Sequence, residues 1–161
     1  MEQKISQEVI ETTVREVIRQ MAPRRRITLE EAKRLTEAIE QESSRRGQQS
    51  VIAVCGSDGN PILVHVMDDA FLVSFDVAVK KAWTAVAVKM STMELSKLAQ
   101  PGETFYGLDK MGNDKICILG GGVPLKLGDQ IIGGLAVSGG TGEADDSLAR
   151  YGQSVLKEIC V

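Results

Sequence analysis

Apolar residues recur every three or four positions through KISQEVIETTVREVIRQM. At 100° per residue, Ile10, Val14, Val17, Ile18 and Met21 share one arc, with Glu8, Glu11, Thr12, Arg15 and Arg19 opposite. The pattern predicts an amphipathic helix over residues 1–22. Pro23 ends it, and Arg24 to Arg26 keep the linker over residues 23–27 basic and solvated. A short helix with an apolar stripe on a tether has to dock on its own domain, a neighbouring subunit or a separate partner.

A second helix is expected from Thr28, which fits a capping box with Glu31. Leu29, Ala32, Leu35 and Ile39 form its apolar face, and Gly47 stops it. The period then shortens to two. VIAVC (51–55) and PILVHVM (61–67) flank the turn-rich GSDGN, which predicts a hairpin. VAVKKAWTAVAVKM (77–90) is apolar nearly all round, with Lys80, Lys81 and Thr84 on one narrow polar arc, so this helix should be covered on most sides. Thr92, with Glu94 in the first turn, caps a short helix ending before Pro101. KICIL (115–119), VPLKL (123–127) and IIGGLAVS (131–138) read as three more strands, and a last helix runs over about 143–159.

Short links between strands favour an antiparallel sheet, here five-stranded, in an α+β domain over 28–161. Both faces of KICIL and VIAVC are apolar, so each side of the sheet is covered, a partner subunit being one candidate. The 161 residues suit one domain. A formal charge of −3 with aromatics at only 4% argues against nucleic acid or an anionic membrane as partner. No apolar run is long enough to span a bilayer, and MEQKISQEV lacks the layout of a secretory signal, which predicts a cytoplasmic protein. Cys55, Cys117 and Cys160 are unclustered and read as reduced thiols rather than a zinc site.

More than half of the 16 glycines fall between Ile118 and Asp146. They lack the Gly-Lys-Ser/Thr ending of a Walker A loop, and the dinucleotide fingerprint fails at Leu125 and Asp145. Gly128 fits a hairpin, and Gly139, Gly140 and Gly142 fit a strand-to-helix corner. Gly120 to Gly122 and the mid-strand pair Gly133–Gly134 would let a flat ligand or another backbone approach closely. His65 is the only histidine, which excludes a histidine-based triad or a multi-histidine metal site within one subunit. Lys81 on a nearly buried helix requires an anion, either a protein carboxylate or a ligand carboxylate. Glu143 and Asp145 read as helix-start residues or as acids of a site. Met90, Met93 and Met111 could supply thioether ligands. No nucleophile–base pair can be read from the spacing.

KKAWTAVAVKM (80–90), ELSKLAQPGETFYGL (94–108), GGGVPL (120–125) and GGLAVSGGTGEAD (133–145) resemble the GlcG/HbpS-type haem-binding family, and are closer to its branch formed by the C-terminal domain of PduO-type proteins. The resemblance covers about Ile27 to Val155. It implies a profilin-like sandwich with an antiparallel five-stranded sheet, a homo-oligomer (commonly an octamer or smaller), and haem, cobalamin or another corrinoid as ligand. Lys81, Gly120, Gly121, Gly122, Pro124, Ser138, Gly139, Gly140, Thr141 and Asp145 then belong to the cofactor pocket, with His65 as metal ligand. Met93 stands where relatives can carry histidine in M-x-T-H-E-L. The adenosyltransferase domain of PduO-type proteins has no room here. The leading segment, residues 1–22, resembles the targeting helices of bacterial microcompartment cargo. The expected role is a non-enzymatic tetrapyrrole-binding protein of a cobalamin-dependent microcompartment lumen. The alternatives are an enzyme or accessory subunit acting on a small carboxylate or corrinoid, and a structural oligomer.

Overall fold

The computed structural model describes residues 7–21, 25–111 and 113–160. The chain runs α1 (Gln7–Met21), α2 (Leu29–Arg45), β1 (Val51–Gly56), β2 (Pro61–Val66), α3 (Ser74–Val88), α4 (Thr92–Leu98), a single 3-10 turn (Leu108–Lys110), β3 (Gly122–Leu127), β4 (Gln130–Ser138) and α5 (Gly142–Ile159). The strands form one antiparallel sheet in the order β2-β1-β4-β3. The α+β class holds with four strands rather than five.

The missing strand is KICIL. Lys115 lies in a turn and residues 116–118 are irregular. The backbone here is satisfied by a helix side chain instead of a strand: the Cys117 N–H donates to Thr84 Oγ1 at 2.9 Å, and that hydroxyl sits 3.3 Å from the Lys115 carbonyl. Lys115 Nζ lies 5.7 Å from the Trp83 ring centroid, so the segment is laid along α3. Apolar content alone cannot distinguish a strand from an extended strap of this kind.

Local chemistry sets the helix starts. Thr28 and Glu31 form the expected capping box: Thr28 Oγ1 accepts the Glu31 N–H at 3.2 Å, and the Thr28 N–H donates to Glu31 Oε2 at 2.8 Å. Ala32, Leu35 and Ile39 are buried, while Leu29, in the first turn, is exposed. α4 is capped one residue earlier than expected. Ser91, three before Glu94, completes the box. Thr92 instead turns inward to accept the Gly122 N–H at 2.8 Å.

All six residues of β1 are buried because the chain's own helices cover both faces of the sheet. Ile52 and Val54 pack with Leu35 and Ile39 of α2 and Leu148 and Leu156 of α5. Each such aliphatic side chain contributes roughly 1.5–3 kcal/mol by leaving water. The other face carries Val51, Ala53 and Cys55 under Ala78 and Ala82 of α3. These small residues let α3 lie close to the sheet.

Of the stretch expected as linker, Ile27 is buried in the core and its N–H donates to the Ile132 carbonyl at 2.9 Å. Arg25 pairs with Glu31 and donates to the Cys160 carbonyl at 3.2 Å. Residues 22–24 lie outside the described set. Among the described residues α1 packs on no other element, and Ile10, Val14 and Val17 of its predicted stripe are exposed.

Candidate functional site

Lys81 sits in the middle of α3, on the side that meets β4 and the start of α5. Its side chain is 2% exposed and that of Asp145 3%. Lys81 Nζ donates to Asp145 Oδ2 at 2.9 Å and to the Val137 carbonyl at 3.0 Å. Asp145 Oδ1 accepts the Gly140 N–H and Gln48 Nε2, each at 2.9 Å. Of the two anions the sequence allowed for Lys81, the structure supplies the protein carboxylate. The pair clamps α3 to α5 across the end of β4, and both oxygens of the carboxylate are satisfied, as a buried charge requires.

The glycines make this clamp sterically feasible. Gly121 has φ of +114°, and a β-carbon there would lie 2.6 Å from the Val137 carbonyl oxygen and 3.0 Å from Lys81 Nζ. A β-carbon at Gly134 would meet the Ala82 carbonyl oxygen at 2.5 Å. At both positions the close neighbour is the chain's own backbone or side chain, which is one of the two uses the sequence left open.

Above the pair lies a cleft of about 260 Å³. Lys81, Ser138, Gly139, Gly140 and Asp145 line its polar floor. Phe71, Val73 and Leu119, all exposed, form an apolar rim. Gly142 joins the lining, and Thr141 beside it caps α5, its Oγ1 accepting the Ala144 N–H at 3.2 Å. Gly120 to Gly122 pack behind the cleft rather than in its lining.

Two expected residues stand apart. Pro124 lies on the edge strand β3, and its carbonyl accepts Gln153 Nε2 at 2.8 Å. His65 pairs in register with Ile52, so it shares the α2 and α5 face of the sheet. There its Nδ1 is 3.3 Å from Glu40 Oε2, and its side chain remains 36% exposed. A carboxylate on one ring nitrogen orients the other outward, an arrangement suited to binding a metal. Among the described residues, no three His, Cys, Asp or Glu side chains come together as a metal site. The apolar rim was missed in the sequence, although AFLV (70–73) is an apolar run set between an acidic turn and a helix start. Burial pushes the Cys55 thiol up to about 12, which removes it as a nucleophile near neutral pH.

A single antiparallel sheet covered by helices on both faces, with a cleft at the end of β4, defines a profilin-like α+β sandwich. The chain belongs to the family described as haem degrading protein HbpS-like, which matches residues 27–154. It is 38% identical over 133 residues to a 15.0 kDa protein of the dhaT–dhaS intergenic region of Citrobacter freundii, covering 83% of this chain and 94% of that one. It is 40% identical over 116 residues to the corrinoid adenosyltransferase PduO of Salmonella typhimurium, covering 72% of this chain but only 34% of PduO. A solved structure of a PduOC–haem complex is 36% identical, with a TM-score of 0.77 over 80% of this chain and 94% of that one. No helix among the described residues is long and apolar enough to cross a membrane.

Proposed function

We propose that this chain is a non-enzymatic haem-binding protein, with a corrinoid as the related alternative ligand, working as a homo-oligomer in a cobalamin-dependent bacterial microcompartment. The observation that carries the reading is the exposed apolar rim of Phe71, Val73 and Leu119 beside a polar floor, in a chain 36% identical to a protein solved with haem. The rim suits the face of a macrocycle, and Ser138 with the remaining Lys81 N–H suits an acid substituent. The cleft's 260 Å³ falls below the roughly 300–1,000 Å³ of sites that enclose their ligands, so one chain covers such a guest only in part. A second copy completing the cavity meets that deficit and supports the homo-oligomer, for which the family resemblance suggests an octamer. Iron ligation by His65 would also come from another copy, because His65 occupies the opposite sheet face from Lys81.

Haemin titration followed by absorbance tests the proposal. The expected result is a saturable Soret band that shifts in His65→Ala and weakens in Leu119→Asp. No change in the spectrum of haemin or cobalamin at tens of micromolar protein, roughly the range of a weak specific site, would refute it.

The exposed stripe of α1 supports residues 1–22 as the segment that docks on a microcompartment shell or cargo protein.

A further inference from the structure

A groove unrelated to the Lys81 cleft carries an arrangement of cations that packing does not explain. Lys89 caps the end of α3 with φ of 58°. In that left-handed region an L side chain is strained, and glycine is the usual occupant at a helix end. Lys126 follows a register irregularity between Leu125 and Lys126 in the β3–β4 ladder. The extra residue is Ile132 on β4, so the ladder bends opposite Lys126. The left-handed end of α3 and the alternation of β3, which sets Lys126 on the side of Pro124, bring two lysines to one cleft of about 290 Å³, whose lining also includes Glu94, Arg150 and Gln153.

Among the described residues no side-chain hydrogen bond engages either ammonium, while Lys126 acts through space on Glu94 and Lys89 also borders Asp129. Arg150 Nε donates to Asp146 Oδ2 at 2.7 Å, leaving its terminal nitrogens available. Glu94 is committed to its cap, with the Ser91 N–H and hydroxyl donating to Oε2 at 3.0 and 2.8 Å. Those two bonds hold its carboxyl below the usual range, and Arg150 and Lys126 lower it further. Lys89, Lys126 and Arg150 thus converge on a cleft whose lining holds one carboxylate, Glu94, with Asp146 behind Arg150 and Asp129 on the far side of Lys89. A second cleft of about 370 Å³ shares Met90 and Glu94 and adds Leu98 and Lys97. The basic cleft therefore continues onto an apolar wall.

We propose that this groove binds a small organic anion, its phosphate or carboxylate among Lys89, Lys126 and Arg150 and its apolar body on Met90 and Leu98. The strain at Lys89 is then retained for its charge, since backbone strain persists where function requires it. The site is independent of the haem reading.

Benzyl phosphate titrated into the full chain, followed by amide chemical shifts, tests the site, with inorganic phosphate and benzyl alcohol as the arms that separate head from body. The expected result is saturable shifts confined to residues 89–98, 122–127 and 150–153, weaker with either half alone. Lys126→Gln should bind about tenfold more weakly, as the loss of a charge-assisted contact implies. Lys89→Gly is the sharper variant. Glycine relieves the left-handed strain, so the protein should melt higher while binding benzyl phosphate about tenfold more weakly. An absence of saturable shifts up to about 10 mM benzyl phosphate would overturn the site, as would a Lys89→Gly protein that binds as tightly as the parent.

Discussion

Replacing Lys81 with methionine keeps an unbranched apolar stem and removes the ammonium. Asp145 Oδ2 then loses the donor at 2.9 Å, and the Val137 carbonyl loses its bond at 3.0 Å. Water cannot substitute readily, because the two side chains are 2% and 3% exposed. Removing one partner of a buried pair costs about 3–5 kcal/mol, set against about 5–15 kcal/mol for a whole domain. In a domain this long each kcal/mol moves the melting temperature by about 2–4 °C, so Lys81→Met should melt about 6–20 °C lower. Calorimetry and urea titration at fixed protein concentration measure the loss, with an unchanged urea slope confirming that the same surface unfolds. Adding Asp145→Leu should recover only part of it, because the Gly140 N–H and Gln48 side chain lose their acceptor. A loss below about 1 kcal/mol in the single variant, the range of exposed pairs, would refute the clamp and return Lys81 to the ligand.

Cys55 should be silent to thiol reagents near pH 8 while the partly exposed Cys117 reacts and Cys160, its thiol pushed up by burial and by Glu31, reacts more slowly; Cys55 should be labelled only on unfolding, as peptide mass spectrometry will show. Burial raises its folded pKa from the ordinary 9.0 to about 12, so its contribution to stability is complete below about pH 9 and is lost as pH rises toward 12. Melts across that range should fall less steeply in Cys55→Ala, and identical slopes would count against the assignment. Deleting residues 1–24 should leave melting temperature and haemin binding unchanged while abolishing co-purification with shells. Extending the deletion through Ile27 should destabilise the domain, because Ile27 fills the core and bonds to Ile132. Persistent shell association of the shorter truncation would sink the targeting role.

Elements fixed by short-range chemistry were legible in the chain. The Thr28 box, the β1–β2 hairpin, the nearly apolar α3 and the span of α5 all follow from residues within a few positions of one another. Features that depend on which strand lies beside which were not. Nothing local says that β4 enters between β1 and β3, and without that order His65 and Lys81 cannot be assigned to opposite faces. KICIL went astray for the same reason, its backbone partner being a hydroxyl on a helix some thirty positions earlier. A protein carboxylate was one of two anions the sequence allowed for Lys81, and only the tertiary fold selects it and names Asp145.

The sheet ends differently on its two sides. On β3, Pro124 has no N–H to offer, and its carbonyl is already taken by Gln153. β2 is left as the border where another strand can be added. A body with one extendable border closes on itself after a single two-fold joining, so growth by strand addition would stop at pairs and could not run on into fibrils.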